Sequence, residues 1–257
     1  MSDEFEIEVP SVPDAVQQKI EDASGEKKIR YLRFMAEQTV QHVNFVREQV
    51  KEVENFWPFT LLSHISVKQA CSAKADRQAL TYLKDVEYIQ DPKDPRPYEV
   101  IFHFRENPFF SNSSLSKKYS LPKGVETAPA DGSVTQEMRD FDVGDLECSA
   151  STIDWKDNLC EKYPRKKVQD NSEEYDGDQG SFFHYFTEAS DPWSLGVIMQ
   201  QDILPDVFDY FRGIGDNCVD QYDSEDEEDE LDEEDGDDDE EIDLEEDPKP
   251  KKKQRTQ

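Results

Sequence analysis

The 257-residue chain is short of positive charge, with 29 Lys and Arg against 61 Asp and Glu. A general nucleic-acid binder needs a basic footprint that neutralises phosphates, and a chain of formal net charge -32 is repelled by DNA and by anionic membrane alike. Sequence-specific DNA binding and a membrane role are therefore excluded, and the natural partners are cationic. Histidine is scarce, with four in the whole chain. No H-E-x-x-H, G-x-S-x-G or G-x-x-x-x-G-K-[ST] occurs, so neither an enzyme nor a cofactor or metal site is expected. Gly213-Ile214-Gly215 is a lone G-x-G without strand and helix around it, and reads as a turn. The four cysteines, Cys71, Cys148, Cys160 and Cys218, form no C-x-x-C pair, which argues against a disulfide framework or a zinc knuckle. No run of 18 apolar residues exists, and Met1 to Pro10 carries Asp3, Glu4, Glu6 and Glu8 where a signal peptide needs bases and then apolar residues. The chain reads as intracellular and soluble.

What is present is unevenly spread. A mean hydropathy of -0.91 is low for a wholly folded chain, whereas 15 Phe, 10 Tyr and 3 Trp are too many for a wholly solvated one. From Asp223 to Asp247 every position is acidic except Ser224, Leu231, Gly236, Ile242 and Leu244. Like charges at every spacing destabilise helix and strand, so 223–257 is expected to be a disordered acidic tail, opening with Asp223, Glu225, Asp226, Glu227, Glu228 and Asp229. Its end carries Lys251, Lys252, Lys253 and Arg255, which suit nuclear import. Residues 1–222 remain acidic without this tail, so charge alone does not assign the binding role to it.

Residues 1–12 are polar and read as a disordered N-terminus. Ser11-Val12-Pro13-Asp14 then gives a helix start, with proline near the first turn. Ile29, Leu32, Ala36, Val43, Val46, Val50 and Val53 follow at alternating steps of three and four once Thr39 is included, a heptad seam. A long helix is predicted over 13–57, broken near Ser24-Gly25 and ended by Trp57-Pro58. So narrow a seam suits another long helix. The chain has no second one, so a homodimer is the economical answer, with packing along its own domain as the alternative.

Beyond residue 58 the period changes. Short helices at Phe59 to His64 and Ser72 to Arg77 precede Leu80, Tyr82, Val86 and Tyr88, then a turn over 91–97 and the alternation Tyr98, Val100, Phe102, Phe104. These predict an antiparallel hairpin with one core face. Leu115 to Leu121 suggests a third strand, Leu146 to Trp155 a fourth, and 156–179 an exposed loop. The apolar density at Phe182 to Phe186 and Leu195 to Phe211 reads as two helices covering the sheet. The expected architecture is α+β, with a single domain over 58–222.

Certain letters carry a resemblance. Glu54-Asn55-Phe56-Trp57 closes the long helix, and Ala79 to Glu87 and Tyr98 to Phe110 form the hairpin with its Asn107-Pro108-Phe109-Phe110 end. Leu115-Ser116-Lys117, Ile153-Asp154-Trp155, Ser181-Phe182-Phe183 with Phe186-Thr187, Asp202-Ile203-Leu204-Pro205 and the acidic tail complete the set. Together they resemble the nucleosome assembly protein family, on the side of its SET/template-activating-factor branch. The resemblance implies a nuclear histone chaperone that shuttles with the cytoplasm. It implies a homodimer through the long helix, and an "earmuff" domain of antiparallel sheet covered by helices whose acidic underside meets core histones. The family's contacts fall on the helix after the Phe-Phe motif, matched here by His184, Thr187 and Glu188. Charge and position add Asp191, Asp202, Asp206 and Asp209. Where the branch is acidic before Leu195-Gly196, this chain has Pro192-Trp193-Ser194, a place where apolar contact replaces charge. The alternative that the resemblance brings is a regulatory subunit that binds a partner enzyme, a histone acetyltransferase or a phosphatase.

Overall fold

The computed structural model describes residues 10–165 and 180–219; the acidic run and the basic end lie outside them. Helix α1 (Asp14–Gln49) is about 54 Å long at 1.5 Å per residue. It passes through Gly25 unbroken, contrary to the predicted kink. A Cβ at Gly25 would stand 2.8 Å from Arg139 Cγ and Cδ, so this glycine is a seat for a crossing side chain rather than a break. Arg139 belongs to α5 (Gln136–Asp140) and lies 3.9 Å from both Asp22 and Glu26 of α1. The rod also ends earlier than Trp57. Asn55 turns into the left-handed region (φ 58°), and Phe56, Trp57 and Pro58 open α2 (Phe56–Leu62), where proline is tolerated in a first turn.

Helices α3 (Ile65–Ala70) and α4 (Lys74–Leu80) lead into a four-stranded antiparallel meander, order β1 (Leu83–Asp91), β2 (Asp94–Phe104), β3 (Ser114–Ser120), β4 (Glu147–Cys148). The hairpin turn is tighter than the prolines suggested: Asp91 already pairs with Asp94, and Pro95 and Pro97 sit at the start of β2, before its pairing with β3 begins at Tyr98. Tyr98, Val100, Phe102 and Phe104 are buried as their alternation predicts. Strand β2 ends where Asn107 Oδ1 accepts from the amides of Phe109 and Phe110, both at 2.9 Å. The fourth strand shrinks to two paired residues, Tyr119 with Cys148 and Ser120 with Glu147. Trp155, predicted to end it, makes only an isolated bridge to Phe110.

The two covering helices are likewise shorter pieces: α7 (His184–Thr187), and α8 (Leu195–Ile198) running through a π-turn (Met199–Ile203) towards α9 (Val207–Phe211). Together with α6 (Leu159–Lys162) they close the core. Aromatic edges knit it: Phe110 meets Phe104 at 5.0 Å and Phe183 at 5.4 Å, and Phe102 meets Phe186 at 5.2 Å.

The heptad seam of α1 is turned inward, with its C-terminal part in this same core. Ile29, Ala36, Val43 and Val46 are buried by the chain itself, Val50 is packed against the core, Leu32 is half-buried and Val53 is exposed. Four of the seven residues assigned to a dimer seam are thus already covered, which corrects that assignment. The physical reason is that heptad spacing shows a stripe needing cover and says nothing of what covers it. Polar ties hold α1 there: Arg47 pairs with Asp85 of β1 at 2.5 Å, and Arg33 donates to the carbonyls of Lys93, Gly132 and Ser133.

Candidate functional site

The seven residues proposed to meet histones fall into two sets with different surroundings. The first follows the Phe-Phe segment, which is anchored from α4. Buried Asp76 accepts from Ser181 Oγ at 2.7 Å and from the Phe182 amide at 2.8 Å, fixing the start of α7. On α7, His184 is half-buried. Its Nε2 lies 3.3 Å from the Tyr163 carbonyl, so that nitrogen carries the proton, and Nδ1 lies 3.5 Å from Glu188. Burial lowers its pKa, against the opposing pull of that carbonyl and of Glu188. Thr187 is half-buried beside Cys160. Glu188 is paired with Arg165, whose guanidinium also lies over the Trp193 ring at 5.6 Å. The Trp193 that replaces an acidic position is therefore occupied by the chain's own arginine.

Asp191 is turned inward. One carboxylate oxygen accepts from the Leu195 amide at 2.9 Å; the other accepts from the Gly196 amide and the Tyr119 hydroxyl, both at 2.7 Å. It caps α8, helped by Ser194 in the left-handed region (φ 54°). Its role in this structure is to hold a loop, which its charge and position did not disclose. Sequence reading also missed Lys117. That side chain sits on the core-facing parity of β3, wholly buried, and its ammonium donates to the carbonyls of Glu188 (2.5 Å) and Ser190 (2.7 Å) over the Tyr185 ring. Burial lowers its pKa, against the carboxylates of Asp191 and Glu188. The loop 188–191 is thus clamped from β3 by one lysine and one tyrosine.

Gly196 makes this clamp possible. A Cβ there would lie 2.1 Å from Tyr119 Cζ and Oη, a distance no relaxation of one rotamer absorbs. Gly196→Ala is expected to displace Tyr119 and with it the bond to Asp191. The expected cost is about 3 kcal/mol, a drop of roughly 10 °C in a thermal melt; an unchanged melting point would refute the packing argument.

The second set lies on the π-turn and α9. Asp202, Asp206 and Asp209, joined by Asp216, line a hollow of about 140 Å³. Asp202 accepts from Asn217 Nδ2 at 3.1 Å and faces His64 Nε2 at 3.4 Å. The Ser66 amide donates to His64 Nδ1, which leaves the imidazole proton on Nε2, toward Asp202. Asp209 lies 3.7 Å from Arg212, and Asp206 is exposed with no ion pair among the described residues. This set keeps carboxylate charge at the surface, whereas the first spends most of its charge within the fold. The tail acids Asp223 to Asp229 and the basic Lys251, Lys252, Lys253 and Arg255 lie outside the described residues.

A long helix feeding an antiparallel meander covered by short helices defines an α+β fold shared with the crystal structure of Ccp1. That structure has a TM-score of 0.55 at 19% identity, over 78% of this chain and 94% of that one; the likeness is one of fold. Residues 12–249 match the nucleosome assembly protein (NAP) family, and the chain belongs to that family. It is SET-like within it. Protein SET of Drosophila melanogaster is 29% identical over 171 residues, 64% of this chain and 57% of that protein. Nucleosome assembly protein 1-like 4 of Homo sapiens is 28% identical over 192 residues, 63% and 48% of the two chains. The chain spans about half the length of the curated relatives it matches.

Proposed function

We propose that the protein is a histone chaperone: it binds core histones through acidic surface, shields them from non-specific capture by DNA, and yields them during nucleosome assembly and disassembly, without catalysis. The observation that carries this is family membership joined to the carboxylate cluster Asp202, Asp206, Asp209 and Asp216, which has only Arg212 paired to it among the described arginines and lysines. Such a surface draws cationic partners over a range set by salt and need not hold them irreversibly. The acidic run adds polyvalent attraction, and the basic end supports nuclear import with return to the cytoplasm. His184, Thr187 and Glu188 contribute as a second contact region; Asp191 contributes by capping α8.

Self-association completes the reading, through a different face of α1 from the heptad seam. Tyr31, Phe34 and Phe45 are about 60% exposed, and Val16 and Ile20 continue their line. At about 100° per residue these five lie within one narrow stripe, roughly 150° from the buried one. A homodimer through this stripe covers it.

The test is binding of refolded core histone complexes at near-physiological salt to the full chain, to residues 1–222, and to an Asp206→Asn/Asp209→Asn/Asp216→Asn variant. The full chain and 1–222 are expected to bind, with the variant at least tenfold weaker. Loss of binding with the tail alone would place the site in the tail. A stoichiometric effect on a partner acetyltransferase or phosphatase, with no histone affinity, would replace the chaperone reading by the regulatory one.

A further inference from the structure

A second hollow, of about 860 Å³, is bounded by the clamped loop, the β3–β4 edge and α8. Three separate segments bring carboxylates to it: Asp142 from the turn before β4, Glu147 from β4, and Asp191 from the loop before α8. Beneath them lie Tyr98 and Tyr119, stacked with ring centres 4.4 Å apart and planes 14° from parallel. The Tyr119 hydroxyl is used by Asp191. The Tyr98 hydroxyl is not used: it is buried and has no hydrogen-bond partner among the described residues, in a side chain only 3% exposed.

An unpaired buried hydroxyl is uncommon in a folded core, because its desolvation is not compensated. Here it sits under acidic rims, where the missing partner has a definite chemistry. Another carboxylate is repelled by Asp142, Glu147 and Asp191. An apolar group leaves the phenol unpaired and desolvates the acids. A cationic head supplies N–H donors to the phenolic oxygen and to the rim together, and charge-assisted bonds of this kind are the strong ones. Lys117 does not fill the role, since its ammonium is held by the carbonyls of Glu188 and Ser190.

We propose that the hollow bounded by Asp142, Glu147 and Asp191 and floored by Tyr98 is a subsite for an arginine or lysine side chain of a basic polypeptide. The assignment deepens the histone-chaperone reading and rests on it for the identity of the polypeptide. It adds a position outside the α9 cluster, beside the loop that Lys117 and Tyr119 fix. A basic segment lying across that loop has one anchor point here, defined by shape and hydrogen bonding as well as by charge.

The test uses the full-length protein and two probes: refolded core histone complexes, and a synthetic decapeptide of glycine and serine carrying two arginines, with a citrulline version as neutral control. Tyr98→Phe removes one oxygen and no charge. It is expected to weaken both probes about tenfold while leaving the melting point unchanged or higher, because the oxygen it removes has no partner in the free protein. Asp142→Asn/Glu147→Gln is expected to weaken both by a similar factor. Glu106→Gln/Glu161→Gln removes the same charge from exposed positions elsewhere, and is expected to stay within about twofold. If Tyr98→Phe binds both probes as the parent does, the subsite is overturned while the chaperone reading stands. If histones fail to bind the full chain at all, the chaperone reading falls, and the peptide decides the subsite: arginine-selective, Tyr98-dependent binding supports it, and equal binding of citrulline overturns it.

Discussion

Changing Tyr31, Phe34 and Phe45 together to serine is expected to turn a dimer into a monomer without unfolding the domain. All three are about 60% exposed, and none belongs to the buried core. Their replacement therefore removes little packing from the single chain. In a dimer each aromatic brings roughly 150–250 Å² of surface to the interface, and truncating such an anchor commonly costs about 2 kcal/mol. Six truncations across a symmetric pair give a rise in Kd of at least about a thousandfold, even with strong non-additivity. Light scattering at micromolar concentration checks the mass, and a thermal melt checks the fold. The comparison variant is Ile29→Ser/Val43→Ser, which strikes the buried stripe and is expected to lower the melting point, because it breaks packing within the chain. If the buried-stripe variant remained stable and became monomeric, while the aromatic variant stayed dimeric, the two faces would have to be exchanged.

That contrast shows what the sequence disclosed of α1. A seam of aliphatic residues at heptad spacing is visible in the letters, because period is a property of one chain; its partner is a property of the packed molecule. The second stripe was hidden by its composition. Lys27, Gln38 and Gln41 share its face with the aromatics, so it does not read as an apolar repeat. The hairpin was legible for the opposite reason: Tyr98, Val100, Phe102 and Phe104 alternate without interruption, and a two-residue period admits one orientation against the core. Strand β4 was not legible as a short element, since two pairs leave no periodic trace.

The candidate site follows the same division. The resemblance picked out His184, Thr187 and Glu188, and charge and proximity in the chain added four aspartates without telling a carboxylate facing solvent from one capping a helix. Asp206 and Asp191 look alike in sequence, and the structure gives one to the surface and the other to Leu195, Gly196 and Tyr119. Lys117 was invisible because a lysine within Leu-Ser-Lys-Lys-Tyr reads as a solvent-facing position. Its two-residue spacing from Leu115 and Tyr119 was the available signal for the buried parity, which the register with Val100 matches. Tyr98 was legible as core, and nothing in its neighbours announced a hydroxyl without a partner.

The remaining large effect concerns Asp76, the residue that ties α4 to the Phe-Phe segment. Asp76→Ala leaves the Ser181 hydroxyl and the Phe182 amide buried with no acceptor. At about 1–3 kcal/mol for each orphaned donor, the expected loss is roughly 2–6 kcal/mol. The carboxyl also carries a pH signature. Burial pushes its pKa up to about 6, outweighing the two donors and nearby Arg77, which favour the ionised form. Because this value exceeds that of an unfolded aspartate, the folded state holds the proton more tightly between about pH 4 and pH 6. The contribution of Asp76 to stability therefore falls as pH rises through that window, by up to roughly 3 kcal/mol. Asp76→Asn cannot titrate and keeps one acceptor. The gap in unfolding free energy between parent and Asp76→Asn is thus expected to shrink from pH 4 to pH 6.5 in denaturant titrations on the two proteins. A gap that stayed constant or widened would mean that Asp76 is ionised throughout, held by its donors more firmly than burial opposes. The start of α7, and the loop carrying Glu188 and Asp191 behind it, would then owe their position to a buried charge rather than to a shared proton.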